Sequence, residues 1–153
     1  MKSLYFFILI FLNIFNSSFA DNLKFTKLLE LDNPWGSTFV NEIELLVTEK
    51  LGAIKLINIK DKKITNIEHN INYLVDGQGG LLDVIYKDKN VWVSYSENRG
   101  SGTSSTSIVK GKFNRNKIDF KNIFRAEPPI KSGYHFGSRL AIKDNYIFAS
   151  SGE

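Results

Sequence analysis

The chain has 153 residues, with 20 lysines and arginines against 16 aspartates and glutamates, and it contains no cysteine. This length suits one ordinary domain, which without disulfides must be held together by the packing of its core. The basic residues are dispersed and form no stripe interleaved with aromatic side chains, so we expect no nucleic-acid partner.

The first twenty residues have the pattern of a signal peptide. Lys2 supplies a short positive start, residues 4–15 are almost continuously apolar, and Ala20 is a small residue of the kind that precedes a cleavage site. The apolar run is short for a transmembrane span, although an uncleaved membrane anchor is the alternative. We therefore expect residues 1–20 to direct export, and residues 21–153 to be periplasmic or secreted with no stable membrane span after cleavage.

From residue 23 onward the sequence reads as short strands separated by turns. No window has a convincing helical period, so no helix is predicted outside the signal peptide. Many short strands at spacings of roughly eight to twelve residues predict an all-β sandwich, barrel or propeller. The predicted strands cover residues 25–31, 35–40, 44–48, 53–59, 64–67, 81–86, 91–96, 106–113, 118–125, 139–142 and 146–150.

Strand alternation predicts which side chains share a face. Trp35 and Trp92 lie in strand-like surroundings and are expected in the core rather than as platforms for a ligand. In the strand predicted at 81–86, alternation places Leu81, Asp83 and Ile85 on one side and Leu82, Val84 and Tyr86 on the other.

The chain has two histidines, and their contexts differ. His69 lies in a polar stretch and is expected to be an exposed loop residue. His135 lies between two aromatic residues, just before a Gly-Ser step that lets backbone or ligand come close. A neutral imidazole can accept a proton from a hydroxyl near neutral pH, so His135 is a candidate general base. The alternative is a packed or hydrogen-bonded scaffold histidine.

Two motifs carry a family resemblance. GQGGLLDV at 77–84 and HFGSRL at 135–140 together resemble the glucose/sorbosone dehydrogenase family, whose members are soluble aldose dehydrogenases dependent on pyrroloquinoline quinone (PQQ). Shorter matches follow the same order along the chain, so the resemblance covers nearly all of it after the first thirty residues. They lie at 31–36, 47–52, 93–97, 123–125 and 151–153.

The resemblance implies a six-bladed β-propeller, of which this chain would form the first two to three blades, because one blade takes about 40 to 50 residues. It also implies oxidation of the anomeric hydroxyl of an aldose sugar to the lactone, with hydride transfer to PQQ and then electron transfer to an external acceptor. Calcium and most PQQ ligands are implied to lie beyond this chain. Residues 21–153 are therefore read as an incomplete N-terminal portion, expected to be inactive alone; a complete small β domain is the alternative.

The resemblance also suggests roles for four residues. His135 would be the general base, and Gln78 would line the substrate and cofactor pocket, unless it is a turn residue that bonds its own loop. Tyr134 stands where the best-known sugar-oxidising members have an acidic residue that holds the sugar, so glucose is in doubt as the substrate. Arg139 either reaches the pocket or balances a carboxylate such as Asp83. A non-catalytic propeller that binds a sugar or a protein partner is the alternative function.

Overall fold

The computed structural model describes residues 24–152, so the predicted signal peptide at 1–20 lies outside the described residues. This part of the chain contains strands, turns and loops without a helix, and hence no helix that could cross a membrane. The all-β prediction is therefore confirmed for these residues. The strands are β1 (Pro34–Asn41), β2 (Glu44–Glu49), β3 (Ile54–Asn58), β4 (Ile64–His69), β5 (Leu81–Lys87), β6 (Asn90–Asn98), β7 (Ser104–Lys112), β8 (Lys117–Ile118), β9 (Lys121–Arg125), β10 (Leu140–Lys143) and β11 (Tyr146–Ala149).

The strands form two antiparallel meanders of four strands and the start of another. We call β1-β2-β3-β4 the first blade, β5-β6-β7-β9 the second blade, and the hairpin β10-β11 the third blade. The innermost strands β1 and β5 pack against each other, and β5 also touches β10. This is the arrangement expected for two propeller blades and the beginning of a third.

The turns follow from local chemistry. Lys87 pairs with Asn90 across a two-residue loop formed by Asp88 and Lys89, both of which have positive φ angles, 50° and 61°. Positive φ at both loop residues matches the twist of antiparallel strands, which makes this the preferred hairpin turn. A turn therefore separates the strands predicted at 81–86 and 91–96, as the sequence indicates.

The main hydrophobic core lies between the first and second blades. Their facing sheets supply aliphatic side chains, and the segment that links β7 to β9 adds two more apolar residues. The buried members of this core are Leu46, Ile54, Leu56, Ile67, Ile71, Leu81, Val84, Val91, Val93, Tyr95, Val109, Ile118 and Phe120.

Two predicted strands are wrong. Residues 25–31 form no strand, and Phe25 is 92% exposed, because no neighbouring strand pairs with this segment in the described part of the chain. The stretch predicted as one strand at 118–125 is divided. β8 pairs in parallel with β4 of the first blade, whereas β9 pairs with β7 of the second. The Asn70 side chain fixes the division by bonding both the N–H (2.7 Å) and the C=O (3.1 Å) of Phe120.

The alternation predicted for β5 is also wrong. Leu81 and Val84 both enter the core although they are three residues apart, because the pairing of β5 with β6 is irregular between them. Such a bulge adds a residue to one strand and reverses the facing of the side chains beyond it. It leaves Asp83 beside the third blade.

The predictions for the two tryptophans and for His69 also need correction. Trp35 is 48% exposed, because it lies at the start of an innermost strand beside an open cleft. Trp92 is half-buried under the Lys110 ammonium, 5.1 Å from the ring centroid.

His69 is not an exposed loop residue, because it ends β4 and is half-buried. Its Nδ1 accepts a hydrogen bond from Ile71 N–H (3.3 Å), so its Nε2 donates one to Gly52 O (2.7 Å).

Candidate active site

The structure brings Gln78 and His135 together. Gln78 precedes β5 and His135 precedes β10, so both lie where innermost strands begin. The backbone N–H of His135 donates to Gln78 Oε1 over 3.0 Å, and Gln78 N–H donates to Gly133 O over 2.6 Å. Gln78 therefore bonds the histidine loop and not only its own turn.

The segment from Gly133 to Arg139, which we call the histidine loop, has an unusual backbone. His135 has a φ of 65° and Ser138 a φ of 78°, in the left-handed region that side chains disfavour. Such conformations cost about 1–3 kcal/mol each and persist only where the surroundings fix them. A Cβ added at Gly152 would lie 1.9 Å from His135 O, so the chain after β11 also closes on this loop.

Side chains of the second blade hold the carbonyl groups of the loop. Thr106 Oγ1 on β7 donates to Phe136 O (2.8 Å), and Ser94 Oγ on β6 donates to Ser138 O (2.6 Å). Both hydroxyl residues are buried, as is Phe136 itself, whereas His135 is exposed. The loop is thus anchored on one side and presents the histidine on the other.

Sequence reasoning missed Thr106 and Ser94. Thr106 begins the strand predicted at 106–113, and threonine is common in strands, so its pattern gave no signal. Ser94 lies inside the strand predicted at 91–96 and did give one, because small hydroxyl residues need hydrogen-bond partners when they are buried. The second blade contains a concentration of them, all buried: Ser94, Ser96, Ser104, Ser105, Thr106 and Ser107.

His135 and Tyr134 line one cleft of about 280 Å³. Their ring centroids are 6.2 Å apart and the rings are tilted by 51°. The same cleft is lined by Ser105 and by Glu127, whose Oε1 accepts a bond from Arg99 Nη2 over 2.6 Å. The cleft therefore offers an imidazole, a phenol, a hydroxyl and an oriented carboxylate to a polar ligand.

Arg139 and Asp83 are in contact, as the sequence suggested. Arg139 Nη1 lies 3.5 Å from both carboxylate oxygens of Asp83, which is 5% exposed. The arginine side chain is nevertheless 79% exposed. With Trp35 these residues line a second cleft of about 260 Å³, so the contact with Asp83 leaves the guanidinium accessible to a ligand.

The Gln78 turn is fixed from the first blade. Lys50 Nζ donates a hydrogen bond to Gly77 O, and Lys50 O accepts one from Leu81 N–H over 3.2 Å. Lys50, the residue after β2, thus contacts both sides of the turn that contains Gln78 and positions Gln78 against the histidine loop.

A second charged cluster ties the strands of the second blade together. The carboxylate of Glu97, 6% exposed, accepts bonds from Arg125 Nε (2.8 Å) and from Ser107 Oγ (2.7 Å). Burial raises the pKa of Glu97, but the hydrogen bonds and charge of Arg125 and the bond from Ser107 outweigh it, so the pKa lies below the ordinary value of 4.5. Burial, followed by the charge of Glu97, raises the pKa of Tyr95.

No metal site is assigned to these residues. Between residues 24 and 152, no group of three or more histidine, aspartate or glutamate side chains lies close enough together to hold a metal ion.

Comparison with known proteins agrees with the fold. The family model described as Glucose / Sorbosone dehydrogenase matches residues 31–153. The chain is 30% identical over 134 residues to the aldose sugar dehydrogenase YliI of Escherichia coli K12, and the match covers 81% of this chain and 36% of that protein.

Solved structures give the same result. A glucose dehydrogenase crystal structure matches with a TM-score of 0.78 and 31% identity, covering 84% of this chain and 40% of that one. The apo-form of the soluble aldose sugar dehydrogenase from E. coli matches with a TM-score of 0.76 and 30% identity, covering 83% and 40%. The PQQ-bound aldose sugar dehydrogenase from Streptomyces coelicolor shares the fold, with a TM-score of 0.69 and 23% identity. The match covers 83% of this chain and 41% of that one.

The propeller prediction is thereby confirmed, and the chain spans about two-fifths of the length of the relatives it matches. With a family model that covers four-fifths of its residues, the chain belongs to the glucose/sorbosone dehydrogenase family.

Proposed function

We propose that this chain is the N-terminal part of an exported, PQQ-dependent dehydrogenase that oxidises the anomeric hydroxyl of an aldose sugar to the lactone. The observation that carries the proposal is the hydrogen bond from His135 N–H to Gln78 Oε1, which brings the two family motifs into one site. Residues 21–153 would form the first blades of the propeller, and an external acceptor would take up the electrons.

His135 is the proposed general base. Its backbone N–H is occupied by Gln78, and the residue is exposed in the cleft that it shares with Tyr134. An imidazole exposed in this cleft can reach a sugar hydroxyl and accept its proton as the C1–H bond breaks. When bound, PQQ supplies the acceptor for the hydride.

Gln78 is the proposed partner of a sugar oxygen. An amide has one oxygen and two N–H donors, and the bond from His135 N–H requires the oxygen to face the loop. The two Nε2 hydrogens are then left to donate to a hydroxyl oxygen of the sugar. One side chain would thus orient both the base and the substrate.

Trp35 and Arg139 are the described residues that would hold the cofactor. PQQ is a planar tricarboxylate, and the cleft beside Asp83 offers an aromatic side chain and an exposed guanidinium. A guanidinium binds carboxylates through paired hydrogen bonds, and an aromatic face stacks on a planar ring. The described residues offer no comparable set for calcium, and no step proposed here involves it.

The test uses the full-length protein that contains this chain, loaded with PQQ and Ca²⁺ and assayed by reduction of a dye with a panel of aldoses. His135→Gln keeps bulk and hydrogen bonding but removes the base, so turnover should fall by about a hundred- to ten-thousandfold with PQQ binding retained. The matched control is His69→Gln, which makes the same change away from the site and should leave turnover nearly intact.

Other outcomes would contradict the proposal. Full activity of His135→Gln would place the base elsewhere, and loss of folding would make His135 a scaffold residue. Binding of sugar by a wild-type protein that neither binds PQQ nor reduces the dye would favour the non-catalytic alternative. Export is tested by the intact mass of the periplasmic or secreted protein. This mass should equal that of a chain starting at Asp21, and the mass of a chain starting at Met1 would contradict cleavage.

A further inference from the structure

The first and second blades are joined by a hydroxyl group. Thr48 Oγ1 on β2 accepts a hydrogen bond from Gly36 N–H within the first blade, over 3.1 Å. The same hydroxyl donates to Leu82 O on the innermost strand of the second blade. A single side chain thus links two neighbouring innermost strands that share no backbone ladder.

The second and third blades are joined in the same way. Ser94 Oγ on β6 accepts a bond from Asp83 N–H within the second blade (2.9 Å) and donates to Ser138 O just before the third (2.6 Å). Ser94 therefore occupies the place that Thr48 has at the first junction, and Asp83 occupies the place of Gly36. The two junctions can be compared position by position.

The two blade junctions differ in the hydrogen bonds that the Asp83 side chain makes at the second one. At the first junction the equivalent residue is a glycine, and a Cβ added to Gly36 would lie 2.8 Å from Asp83 Cα. At the second junction the buried carboxylate accepts bonds from Leu140 N–H at Oδ2 (2.8 Å) and from Val84 N–H at Oδ1 (3.0 Å). It also lies 3.5 Å from the Arg139 guanidinium.

The extra bonds fall on the backbone that carries the candidate base. Ser94 holds Ser138 O and Asp83 holds Leu140 N–H, so both sides of the Arg139 peptide segment are fixed. Ser138 is itself in the left-handed conformation and lies three residues after His135. Closing a blade junction does not require these contacts, because the first junction closes with glycine.

We propose that Asp83 is a positioning residue that sets the location of His135 through the backbone of Ser138–Leu140. The inference rests on the proposed function for its catalytic consequence, but not for the structural link itself. The carboxylate of Asp83 accepts one bond at each oxygen, whereas asparagine has one acceptor oxygen and an NH2 donor. In Asp83→Asn, either Leu140 N–H or Val84 N–H would therefore face the NH2 group and lose its acceptor.

The experiment compares Asp83→Asn with wild type in the full-length, PQQ-loaded protein. Asp88→Asn is the matched control, since Asp88 is an exposed residue in the turn that follows β5. Three quantities are measured: the ring signal of His135 in histidine-labelled protein by NMR with His69 as internal reference, amide hydrogen exchange in peptides covering 136–141 and 106–112, and the separate values of kcat and KM.

For Asp83→Asn we expect the His135 ring signal to shift or broaden while that of His69 stays in place. Exchange should accelerate roughly tenfold or more in 136–141 but not in 106–112, since a hydrogen bond to a charged group is lost there. kcat should fall by about ten- to a hundredfold with a smaller change in KM, as expected for a base displaced by about 1 Å. Asp88→Asn should change none of these.

The proposal is wrong if Asp83→Asn matches Asp88→Asn, or if exchange rises equally in both peptides with kcat preserved, which would make Asp83 a general stabiliser. If Asp83→Asn does not fold, Asp83→Gly is measured instead, because glycine serves at the first junction. Failure of both to fold would also overturn the proposal. If wild type oxidises no aldose, the proposed function fails, and the NMR and exchange measurements still decide whether Asp83 holds the loop.

Discussion

Gln78 and His135 are 57 residues apart in the sequence, and a hydrogen bond of 3.0 Å joins the side chain of the first to the backbone of the second. The glutamine belongs to the turn before the second blade and the histidine to the loop before the third. The position of the candidate base therefore depends on a residue in a different turn.

The two ends of the Gln78 amide can be separated by substitution in the full-length protein. Gln78→Glu keeps an oxygen to accept the bond from His135 N–H but loses the Nε2 donors, whereas Gln78→Met loses both. We expect the glutamate variant to raise KM about tenfold with normal hydrogen exchange at residue 135. The methionine variant should in addition exchange faster there and lose kcat. If the two variants had the same hydrogen exchange at residue 135 and the same kcat, Gln78 would not both orient His135 and bind the sugar.

Tyr134 should influence which aldose is preferred. It lines the cleft beside His135, and the family resemblance implies an acidic residue at this position in the best-known sugar-oxidising members. Tyr134→Asp should therefore improve kcat/KM for glucose relative to other aldoses, by about tenfold for one charge-assisted hydrogen bond. Tyr134→Phe, which removes only the hydroxyl, is the control. An unchanged order of preference across the panel in Tyr134→Asp would show that this position does not read the sugar.

The charged cluster around Glu97 should make the unfolding free energy depend on pH. Because the folded pKa of Glu97 is lowered, its contribution is fully present above the ordinary value of 4.5 and is lost as the pH falls through the folded pKa. Glu97→Gln should cost about 1.5 kcal/mol of unfolding free energy at pH 7, and its difference from wild type should shrink below pH 4.5. Denaturant unfolding of the full-length wild type and Glu97→Gln proteins at pH 7 and at pH 3.5 measures this difference in unfolding free energy. The exposed Glu42→Gln is the control, and a difference independent of pH would refute the assignment.

Residues 21–153 expressed alone should not behave as a stable monomer. Apolar side chains on the open side of the second and third blades are about half exposed, among them Ile123, Phe124 and Phe148. Exposed apolar surface beside free strand edges favours association. Size-exclusion chromatography and binding of a hydrophobic dye should reveal aggregates or exposed surface. A monomer with a sharp cooperative melt would show that the piece is self-sufficient.

Much of the fold could be predicted from local pattern and family motifs. The strands at 35–40, 44–48 and 91–96 lie where the alternation and turn residues placed them, and the two motifs identified the turn and the loop that meet in the site. These features depend on residues close together in sequence or on a family resemblance.

The remaining features depend on tertiary contacts. The bulge that turns Asp83 toward the third blade is stabilised by Ser94 on the neighbouring strand, and the break between β8 and β9 by Asn70. Neither partner is visible in the local pattern of the strand it alters. Resemblance named Gln78 but could not give its bond to the His135 backbone, because that bond is set by how two blades pack.

The parallel pair between β4 and β8 has a consequence for synthesis. Glu68 pairs with Lys117, so the outer edge of the first blade is covered by a segment that the ribosome makes only after most of the second blade. Until that segment emerges, the last strand of the first blade exposes unpaired backbone groups to other chains. The nascent protein therefore completes its first blade only when it has nearly completed its second.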